Sequence, residues 1–473
     1  MLHLSLDKTK KRSYTKQIYN LVREKILSGE LYADELLPSS RDLSRELCVA
    51  RNTVLTAYDM LMSEGMVYSI AGAGFYVSSD IKPVPQNIPI GSQQAASLSD
   101  TILTDQIINF DSGLPALDLF PREKWNRVVS NAFLNAPVSS LGYDDPQGRP
   151  EFRNVLCAYL KKTRGISCIP EQIIITAGAK QGLSLAAKCL LRPDSEVWME
   201  NPSNINVKNI FSYHTNNIVP FEVDAQGIRP ELFPKEGKPA LIFTTPSHQF
   251  PMGGILSVQR RIGLIEFARK SGAYLLEDDY DSEFTYDVPP SHSIFELDPD
   301  RVIYVGTFSK VLFPSIRLGY LVVPLHLVSQ IRELKRLADH HSNSIYQLAL
   351  MRFIEGGELE RHIRRMKKEY RKRRDTLLKL LPVYFGKNIH IYGAAAGMHL
   401  VVKFCDISFT EDLVKRFLQS GVYIVPVENH SLIKDEHQNE IILGYSGLSK
   451  ETLIQGLDLI KTELYNSGKL QAL

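Results

Sequence analysis

The chain has 473 residues, of which 44% are hydrophobic and 23% are charged, and its formal net charge is +2. This composition is typical of a globular protein and leaves room for about three average domains, or for one small and one large domain. The nearly balanced charge predicts no strong overall attraction to polyanions, so any contact with nucleic acid requires a local basic patch.

The cysteines and the hydropathy pattern predict a compartment. Five cysteines are scattered along the chain: Cys48, Cys157, Cys168, Cys189 and Cys405. Their spacing lacks the close pairs of a zinc site or a redox motif, and scattered cysteines fit a reducing environment. The N-terminus has no apolar segment of signal length, and no run reaches about 18 uncharged apolar residues. We therefore expect a cytoplasmic protein without a membrane span.

Residues 13–78 carry the pattern of a winged helix-turn-helix. The predicted elements are a helix over residues 13–28, a segment 36–47 with a proline entry and a short second helix, a turn over 48–51, a third helix over 52–64, and strands over 66–70 and 75–78. Ser39 is the expected cap of the second helix, with Asp42 three positions on. Gly72 and Gly74 make the turn between the strands tight. Periodicity alone leaves a three-helix protein-interaction domain as an equal alternative.

Arg51, Asn52 and Thr53 open the third helix, where side chains and backbone N–H groups can meet phosphates and base edges. The segments Leu37-Pro-Ser-Ser-Arg-Asp-Leu-Ser-Arg-Glu-Leu and Ala50-Arg-Asn-Thr-Val, together with the glycine wing, resemble the winged helix of GntR-type bacterial regulators. That resemblance implies operator contact at Arg41, Arg51, Thr53 and Gly74. A basic arm precedes it, formed by Lys8, Lys10, Lys11, Arg12 and Lys16, although a solvated charge run is the alternative for each of them.

The domain boundaries follow from composition. Residues 79–108 are rich in proline and small polar residues and have too few large apolar side chains to build a core. We expect a DNA-binding domain over residues 1–78, a flexible linker over 79–108 and a large domain over 109–473.

The stretch of residues 302–320 presents the candidate reactive lysine. Its apolar β-branched run predicts a buried strand, and the turn that follows presents Lys310 where α/β proteins place their chemistry. A lysine in a closed pocket loses some basicity and can form an imine with an aldehyde. Hydroxyls at Thr307 and Ser309 and the guanidinium of Arg317 can hold a phosphate beside it. This combination suits pyridoxal phosphate, and a surface lysine after a core strand is the alternative.

Further short apolar strands, separated by helical segments, predict an α/β fold with a mostly parallel sheet and helices on both faces. They cover residues 172–176, 196–200, 240–244 and 273–277. A glycine turn over residues 177–182, ahead of a helix over 183–191, predicts an anion site.

Asp278 follows the last of these strands, and Tyr280 lies two residues beyond. A carboxylate there can keep a pyridine nitrogen protonated, and a phenol can bond the 3-oxygen of the same ring. The acidic residues of the segment 277–281 offer a divalent metal site as an alternative. Because no partnering ligand cluster is evident, we expect no metal.

Six motifs in order resemble one family: Tyr143-Asp-Asp-Pro-Gln-Gly, Thr176-Ala-Gly-Ala-Lys-Gln-Gly, Glu200-Asn-Pro, Thr245-Pro-Ser-His-Gln-Phe-Pro-Met-Gly, Glu277-Asp-Asp-Tyr-Asp-Ser-Glu-Phe and Thr307-Phe-Ser-Lys. The chain is similar to MocR/GabR-type regulators, in which a GntR winged helix is fused to a fold-type I aminotransferase-like domain. The resemblance implies a head-to-tail homodimer, operator DNA as a partner, and a small amine, an amino acid or pyridoxal 5'-phosphate itself as the signal.

By position, the resemblance implies that Lys310 carries pyridoxal 5'-phosphate as an internal aldimine, with Asp278 at the pyridine nitrogen and Tyr280 at the 3-oxygen. It assigns the phosphate to Ala179, Lys180, Thr307, Ser309 and Arg317, and it locates His248 and Gln249 beside the ring.

Two positions depart from the family pattern. Asn204 stands where relatives present an aromatic residue that stacks on the ring, and Ile442 stands where many have an arginine for a substrate carboxylate. We therefore expect a regulator that senses a ligand with at most weak transamination. A working aminotransferase with a DNA-binding appendage and a cofactor-only sensor controlling vitamin B6 synthesis are the alternatives.

Overall fold

The computed structural model of the chain describes residues 4–7, 13–81, 107–289 and 292–469. The chain divides into two units, residues 1–102 and 103–473. Most of the predicted linker, and four basic residues of the predicted arm (Lys8, Lys10, Lys11 and Arg12), lie outside the described residues. None of the helices in the described ranges is long and apolar enough to cross a membrane.

The small unit is a winged helix-turn-helix, as predicted. Its elements are α1 (Tyr14–Leu27), α2 (Ser40–Glu46), α3 (Arg51–Ser63), β1 (Val67–Ile70) and β2 (Gly74–Val77). Ser39 caps α2, its Oγ accepting a hydrogen bond from Asp42 N at 3.2 Å. The two strands pair antiparallel.

Tyr58 joins the third helix to the rest of the small unit. Its hydroxyl donates to Pro38 O at 2.9 Å, and its ring centroid lies 4.9 Å from that of Phe75 on β2. Burial of this side chain, with Val54 and Leu61 of the same helix, fixes α3 against the wing.

The large unit alternates strands and helices over most of its length. Its helices are α4 (Arg122–Asn135), α5 (Pro150–Arg164), α6 (Ala179–Leu190), α7 (Ile205–Ser212), α8 (Val258–Ser271), α9 (Ile294–Leu297), α10 (Val328–Asp339), α11 (Ser344–Glu355), α12 (Glu358–Phe385), α13 (Glu411–Gln419) and α14 (Lys450–Asn466). Its strands are β3 (Ile108–Asn109), β4 (Ile173–Thr176), β5 (Glu196–Asn201), β6 (Asn217–Asp224), β7 (Gly227–Ile228), β8 (Leu241–Thr244), β9 (Tyr274–Asp279), β10 (Val302–Thr307), β11 (Gly319–Val322), β12 (Ile389–Tyr392), β13 (His399–Phe404), β14 (Val422–Tyr423), β15 (Val425–Pro426) and β16 (Glu440–Gly444).

Eight strands form the central sheet in the order β4-β11-β10-β9-β8-β5-β6-β7. The pairs from β10 through β6 are parallel, whereas β11 and β7 pair antiparallel with their neighbours. The strands are apolar on both faces because each face has its own core. Ile173 and Ile175 belong to one core, and Ile174 between them belongs to the other. The predicted mostly parallel sheet is confirmed.

A smaller sheet, in the order β12-β13-β16-β15, belongs to the C-terminal part of the large unit, and its strands pair antiparallel. The carboxyl ends of the parallel strands β8, β9 and β10 lie side by side in the central sheet. Ligands of open α/β sheets bind at such an edge. This edge carries the predicted site residues.

Two predicted boundaries near this edge are wrong. Helix α6 begins at Ala179, four residues earlier than predicted, because Gly178 alone makes the turn with φ of +90°. Gly182 lies inside the helix, where a Cβ would stand 2.9 Å from Leu321. Strand β9 extends to Asp279, so Asp278 lies within the strand and pairs with Val305 of β10.

Candidate functional site

Lys310 lies just past the end of β10 with its amine directed into the large unit. Its Nζ donates a hydrogen bond to Gly113 O at 2.7 Å. Burial lowers the pKa of Lys310 from its ordinary value, and the carboxylates of Asp111, Asp281 and Asp278 oppose that shift. A buried amine of lowered pKa is available as a nucleophile more often than a surface lysine is.

Asp278 and Asp279 are consecutive residues of β9 with opposite surroundings. Asp279 Oδ2 accepts hydrogen bonds from Arg164 Nε at 2.9 Å and from Tyr304 Oη at 2.6 Å. Asp278 is buried, and among the described residues its Oδ1 has no hydrogen-bond partner. Burial raises the pKa of Asp278 to about 7, helped by Asp279 and opposed by Lys310. A protonated ring nitrogen would supply the positively charged hydrogen-bond donor that Asp278 Oδ1 lacks.

Tyr280 is held by the loop that carries His248. Its hydroxyl donates to His248 O at 2.9 Å and lies 3.1 Å from His248 Nδ1. His248 Nδ1 is also 3.1 Å from Asp281 Oδ2. Although burial opposes the charged imidazole, the Asp281 carboxylate raises the pKa of His248. The phenol of Tyr280 is thereby fixed by a backbone acceptor and a buried imidazole.

The start of α6 and the side chain of Arg317 converge on one place. Arg317 Nη2 donates to Ala177 O at 2.5 Å, and a Cβ on Gly178 would stand 3.2 Å from Arg317 Nη1. Thr307 Oγ1 accepts Ser309 N at 3.2 Å on the neighbouring strand end. Free N–H groups of a helix N-terminus next to a guanidinium are typical of an anion site. The residues at the start of α6, Ala179 and Lys180, are partly or fully exposed.

Gln249 and Asn204 have structural tasks. Gln249 Nε2 donates to Pro202 O at 2.9 Å and to Phe250 O at 2.7 Å, so the buried amide joins two loops. Asn204 Oδ1 accepts Asn206 N at 3.0 Å and caps α7. Ile442 is buried in an apolar cluster with Val401 and Val427.

Several residues around the candidate site gave no signal in the sequence. His399 is buried, its ring centroid 5.0 Å from that of His248, and burial together with His248 lowers its pKa to about 3. His430 packs against Phe250 with ring centroids 4.9 Å apart, and burial lowers its pKa to about 4. Both come from chain segments about 150 residues or more away from His248, and isolated histidines carry no motif.

The acidic segment 277–281 is engaged within the protein. The Glu277 side chain accepts Ser293 Oγ at 2.6 Å, and Asp279 pairs with Arg164. Asp281 belongs, with His248 and His399, to a group of potential metal ligands whose atoms lie within 4.8 Å of one another. The hydrogen bond between His248 and Asp281 already joins two members of that group.

In the small unit three of the predicted DNA-contacting residues, Arg51, Asn52 and Thr53, lie at the start of α3, whereas Arg41 lies on α2 and Gly74 begins β2. Arg41, Arg51 and Asn52 are exposed, and Arg51 Nε donates to Ser40 Oγ at 3.1 Å. Ala50 occupies the cap position of α3, and its methyl side chain cannot accept hydrogen bonds from the first N–H groups of the helix. Thr53 N donates to Ala50 O at 2.9 Å. Gly74 has φ of +122° at the start of the second wing strand.

Comparison with known proteins agrees with this architecture. Residues 14–77 match the family described as bacterial regulatory proteins of the gntR family, and residues 105–456 match aminotransferase class I and II. The chain is 32% identical to the probable rhizopine catabolism regulatory protein MocR of Rhizobium meliloti, over 99% of this chain and 97% of that one. It is 31% identical to the pyridoxine biosynthesis regulator PdxR of Corynebacterium glutamicum, over 96% of each.

Among solved structures, the kynurenine aminotransferase of Pyrococcus horikoshii, described as a complex with PMP, is 26% identical with a TM-score of 0.73. That match covers 82% of this chain and 98% of the enzyme. The aminotransferase class I and II match covers most of this chain. The two regulators above 30% identity align with it over nearly their full length, including both matched regions. The chain therefore belongs to the MocR/PdxR-type transcription regulators, in which a GntR helix-turn-helix DNA-binding domain precedes an aminotransferase class I and II domain.

Proposed function

We propose that this chain is a transcription regulator whose large unit holds pyridoxal 5'-phosphate covalently through Lys310 and uses it to sense a small amine, an amino acid or the cofactor itself. Pyridoxal 5'-phosphate is the cofactor of this domain. The observation that carries the proposal is the buried Asp278 Oδ1, which lacks a partner among the described residues. It lies close enough to the Lys310 amine for their charges to interact.

The residues fit the parts of this cofactor. Asp278 would accept the ring N–H, the Tyr280 hydroxyl, which donates to His248 O in this structure, would be available to the 3-oxygen, and the start of α6 with Arg317 would hold the phosphate. The bound cofactor supplies an aldehyde carbon to amines and a ring that withdraws electrons. Lys310 would supply the amine that holds this carbon and that an incoming amine could replace.

Two observations favour sensing over turnover. Ile442 offers an apolar side chain where an arginine would bind a substrate carboxylate. Arg149, an alternative arginine for this carboxylate, is already paired with Asp144 at 2.6 Å and with Glu151 at 2.6 Å. Without a carboxylate clamp, an amino donor is not oriented for efficient proton transfer at its Cα.

The name of the Corynebacterium relative, a pyridoxine biosynthesis regulator, favours a second candidate in which the cofactor itself is the signal. In that case binding of the cofactor alone changes the affinity of the small unit for DNA. The two candidates share one site and differ only in whether an added amine has an effect.

A head-to-tail homodimer is part of the proposal. One short segment of the large unit exposes five large apolar or aromatic side chains in close succession, which is unusual for a surface that faces only water. They are Phe133, Leu134, Val138, Leu141 and Tyr143, with relative exposures of 58%, 79%, 84%, 62% and 85%. A second copy of the chain would cover them.

The test uses the full-length protein loaded with pyridoxal 5'-phosphate. A panel of amines and amino acids is added, with and without a keto acid, and both the cofactor spectrum and the product are followed. Spectral change without accumulating product supports the sensor. Sustained turnover on the order of 1 per second or faster establishes the aminotransferase instead, and a response to cofactor with none to any amine selects the cofactor sensor.

A further inference from the structure

Cys157 and Cys168 meet in the folded chain although their spacing in the sequence gave no indication of it. Their Sγ atoms lie 3.6 Å apart, within hydrogen-bond distance for sulfur. Both side chains are half-buried and both thiols are free. The other three cysteines lie elsewhere, Cys48 and Cys405 exposed and Cys189 buried. The spacing in the sequence, which matches no zinc or redox motif, therefore did not reveal this spatial pair.

The backbone around the pair is anchored on both sides. Cys157 lies on α5, and Cys168 lies in the segment between α5 and β4. Arg153, one turn before Cys157, donates from Nη1 to Pro170 O at 2.7 Å and from Nε to Gly148 O at 3.0 Å. This side chain holds the segment that carries Cys168 against the helix that carries Cys157. Both cysteines also pack against the main hydrophobic core, which further fixes the two sulfurs as neighbours.

The two thiols are electrostatically unequal. The hydrogen bond that joins the two sulfurs, together with the charge of Arg153, lowers the pKa of Cys157, against burial and Glu171. The same hydrogen bond, together with burial, raises the pKa of Cys168. One sulfur is thus favoured as the thiolate and the other as the proton donor beside it, the arrangement of an attacking and a resolving thiol.

We propose that Cys157 and Cys168 form a reversible oxidation site, at which a hydroperoxide converts the two thiols into an intramolecular disulfide. The Cys157 thiolate attacks one peroxide oxygen, so that an S–O bond forms, the O–O bond breaks and hydroxide leaves with the proton that Cys157 had released, as water. Cys168 sulfur then attacks Cys157 sulfur, the S–S bond forms, and the oxygen leaves as a second water with the Cys168 proton. Two thiols and one hydrogen peroxide give one disulfide and two waters.

The helix that carries Cys157 ends at Arg164, which binds the neighbour of Asp278 in β9. Arg153, Cys157 and Arg164 are spaced by four and seven residues and so share one face of α5. Arg164, at the end of that face, binds Asp279 and Glu283. A disulfide would fasten α5 to the segment before β4, and this constraint does not depend on whether the cofactor is bound.

The test treats the full-length protein with one equivalent of hydrogen peroxide, blocks the remaining thiols with iodoacetamide and digests the protein with trypsin. Cys157 and Cys168 fall in different tryptic peptides, residues 154–161 and 165–180, so the disulfide links two peptides that mass spectrometry identifies. The expected result is this linked pair, formed about tenfold faster than oxidation of Cys48 and lost when dithiothreitol precedes alkylation.

Two variants test the roles of the individual cysteines. In Cys168→Ser, peroxide should leave a sulfenic acid on Cys157 that dimedone traps, with no linked peptide. In the matched control Cys189→Ser, the rate of linking should equal that of the parent. The proposal is overturned if both thiols of the parent remain open to alkylation after peroxide, or if either sulfur links to Cys48, Cys189 or Cys405 instead.

Discussion

Arg164 donates from Nε to Asp279 Oδ2 at 2.9 Å, and both side chains are buried. Successive residues of a strand point to opposite faces, so this ion pair neutralises Asp279 on one face of the sheet and leaves Asp278 on the other. Asp279 is compensated through Oδ2, which binds Arg164. Oδ1 of each of the two carboxylates lacks a hydrogen-bond partner within the described residues, so Asp278 is distinguished by its face of the sheet and its nearness in charge to Lys310. This arrangement supports the proposal that Asp278 would face the cationic ring nitrogen of the cofactor.

Asp278→Asn should stabilise the cofactor-free protein at high pH and weaken its affinity for the cofactor. The folded pKa of Asp278 is about 7, above its ordinary value of 3.8. The stability contribution of a group with a raised pKa is fully present below the unfolded pKa and is lost as pH rises through the folded pKa. As the pH rises from about 4 to about 7, the free energy of unfolding of the variant should therefore increase relative to that of the parent, by up to about 4 kcal/mol.

Thermal unfolding of both cofactor-free proteins at pH 5 and at pH 8 checks this prediction. The difference between their midpoints should be larger at pH 8, and the variant should bind pyridoxal 5'-phosphate less tightly. A difference that is the same at both pH values contradicts the account of this carboxylate.

Gly178→Ala should weaken binding of the phosphate, and Gly272→Ala provides a matched control. Both glycines have a left-handed backbone, with φ of +90° and +83°, so each substitution should cost roughly 1–2 kcal/mol of stability. Only at Gly178 would the added Cβ press on Arg317, 3.2 Å away, whereas Gly272 has nothing within 4 Å.

Titration of both variants with pyridoxal 5'-phosphate and with pyridoxal distinguishes a loss of phosphate binding from a general loss of stability. Loss of one charge-assisted hydrogen bond, about 1.5–3 kcal/mol, predicts roughly tenfold or more weaker binding of the phosphate ester to Gly178→Ala. Binding of pyridoxal should change little. If the two glycine variants lose affinity for pyridoxal 5'-phosphate equally, the assignment of the phosphate to the start of α6 is wrong.

The sequence predicted what is local and periodic. The winged helix and the parallel strands follow from residue spacing. The sequence also located Asp278 and Lys310 near the ends of neighbouring strands, while their roles toward the cofactor stay predictions. The start of α6 was missed because two glycines suggested a longer turn, whereas Gly182 serves close packing against Leu321. His399 was missed because contact between residues far apart in the chain leaves no periodic trace.

Arg51→Ala should weaken binding to operator DNA and leave cofactor binding unchanged. Arg51 is exposed at the start of α3, where it can neutralise a phosphate, so the slope of log affinity against log salt should fall by about 1. Arg23→Ala is the control, because Arg23 lies on α1, 3.6 Å from Glu64. Fluorescence anisotropy over a salt series measures both. Equal slopes for the two variants would contradict the DNA contact.

Lys310→Ala should abolish the covalent adduct that borohydride fixes between the protein and pyridoxal 5'-phosphate. Lys180→Ala should keep it, because Lys180 is an exposed residue at the start of α6 and is assigned only to the phosphate. Mass spectrometry of tryptic peptides locates the adduct. An adduct that persists on another lysine in Lys310→Ala would refute the assignment of the reactive amine.

The most direct test of the central claim compares the affinity of parent and Lys310→Ala for the DNA upstream of the protein's own coding region, with and without pyridoxal 5'-phosphate. If Lys310 links the cofactor to DNA binding, the cofactor should change the affinity of the parent several-fold and leave that of Lys310→Ala unchanged. An equal change in both proteins, or no change in the parent with cofactor alone or with any amine of the panel, would contradict regulation through Lys310.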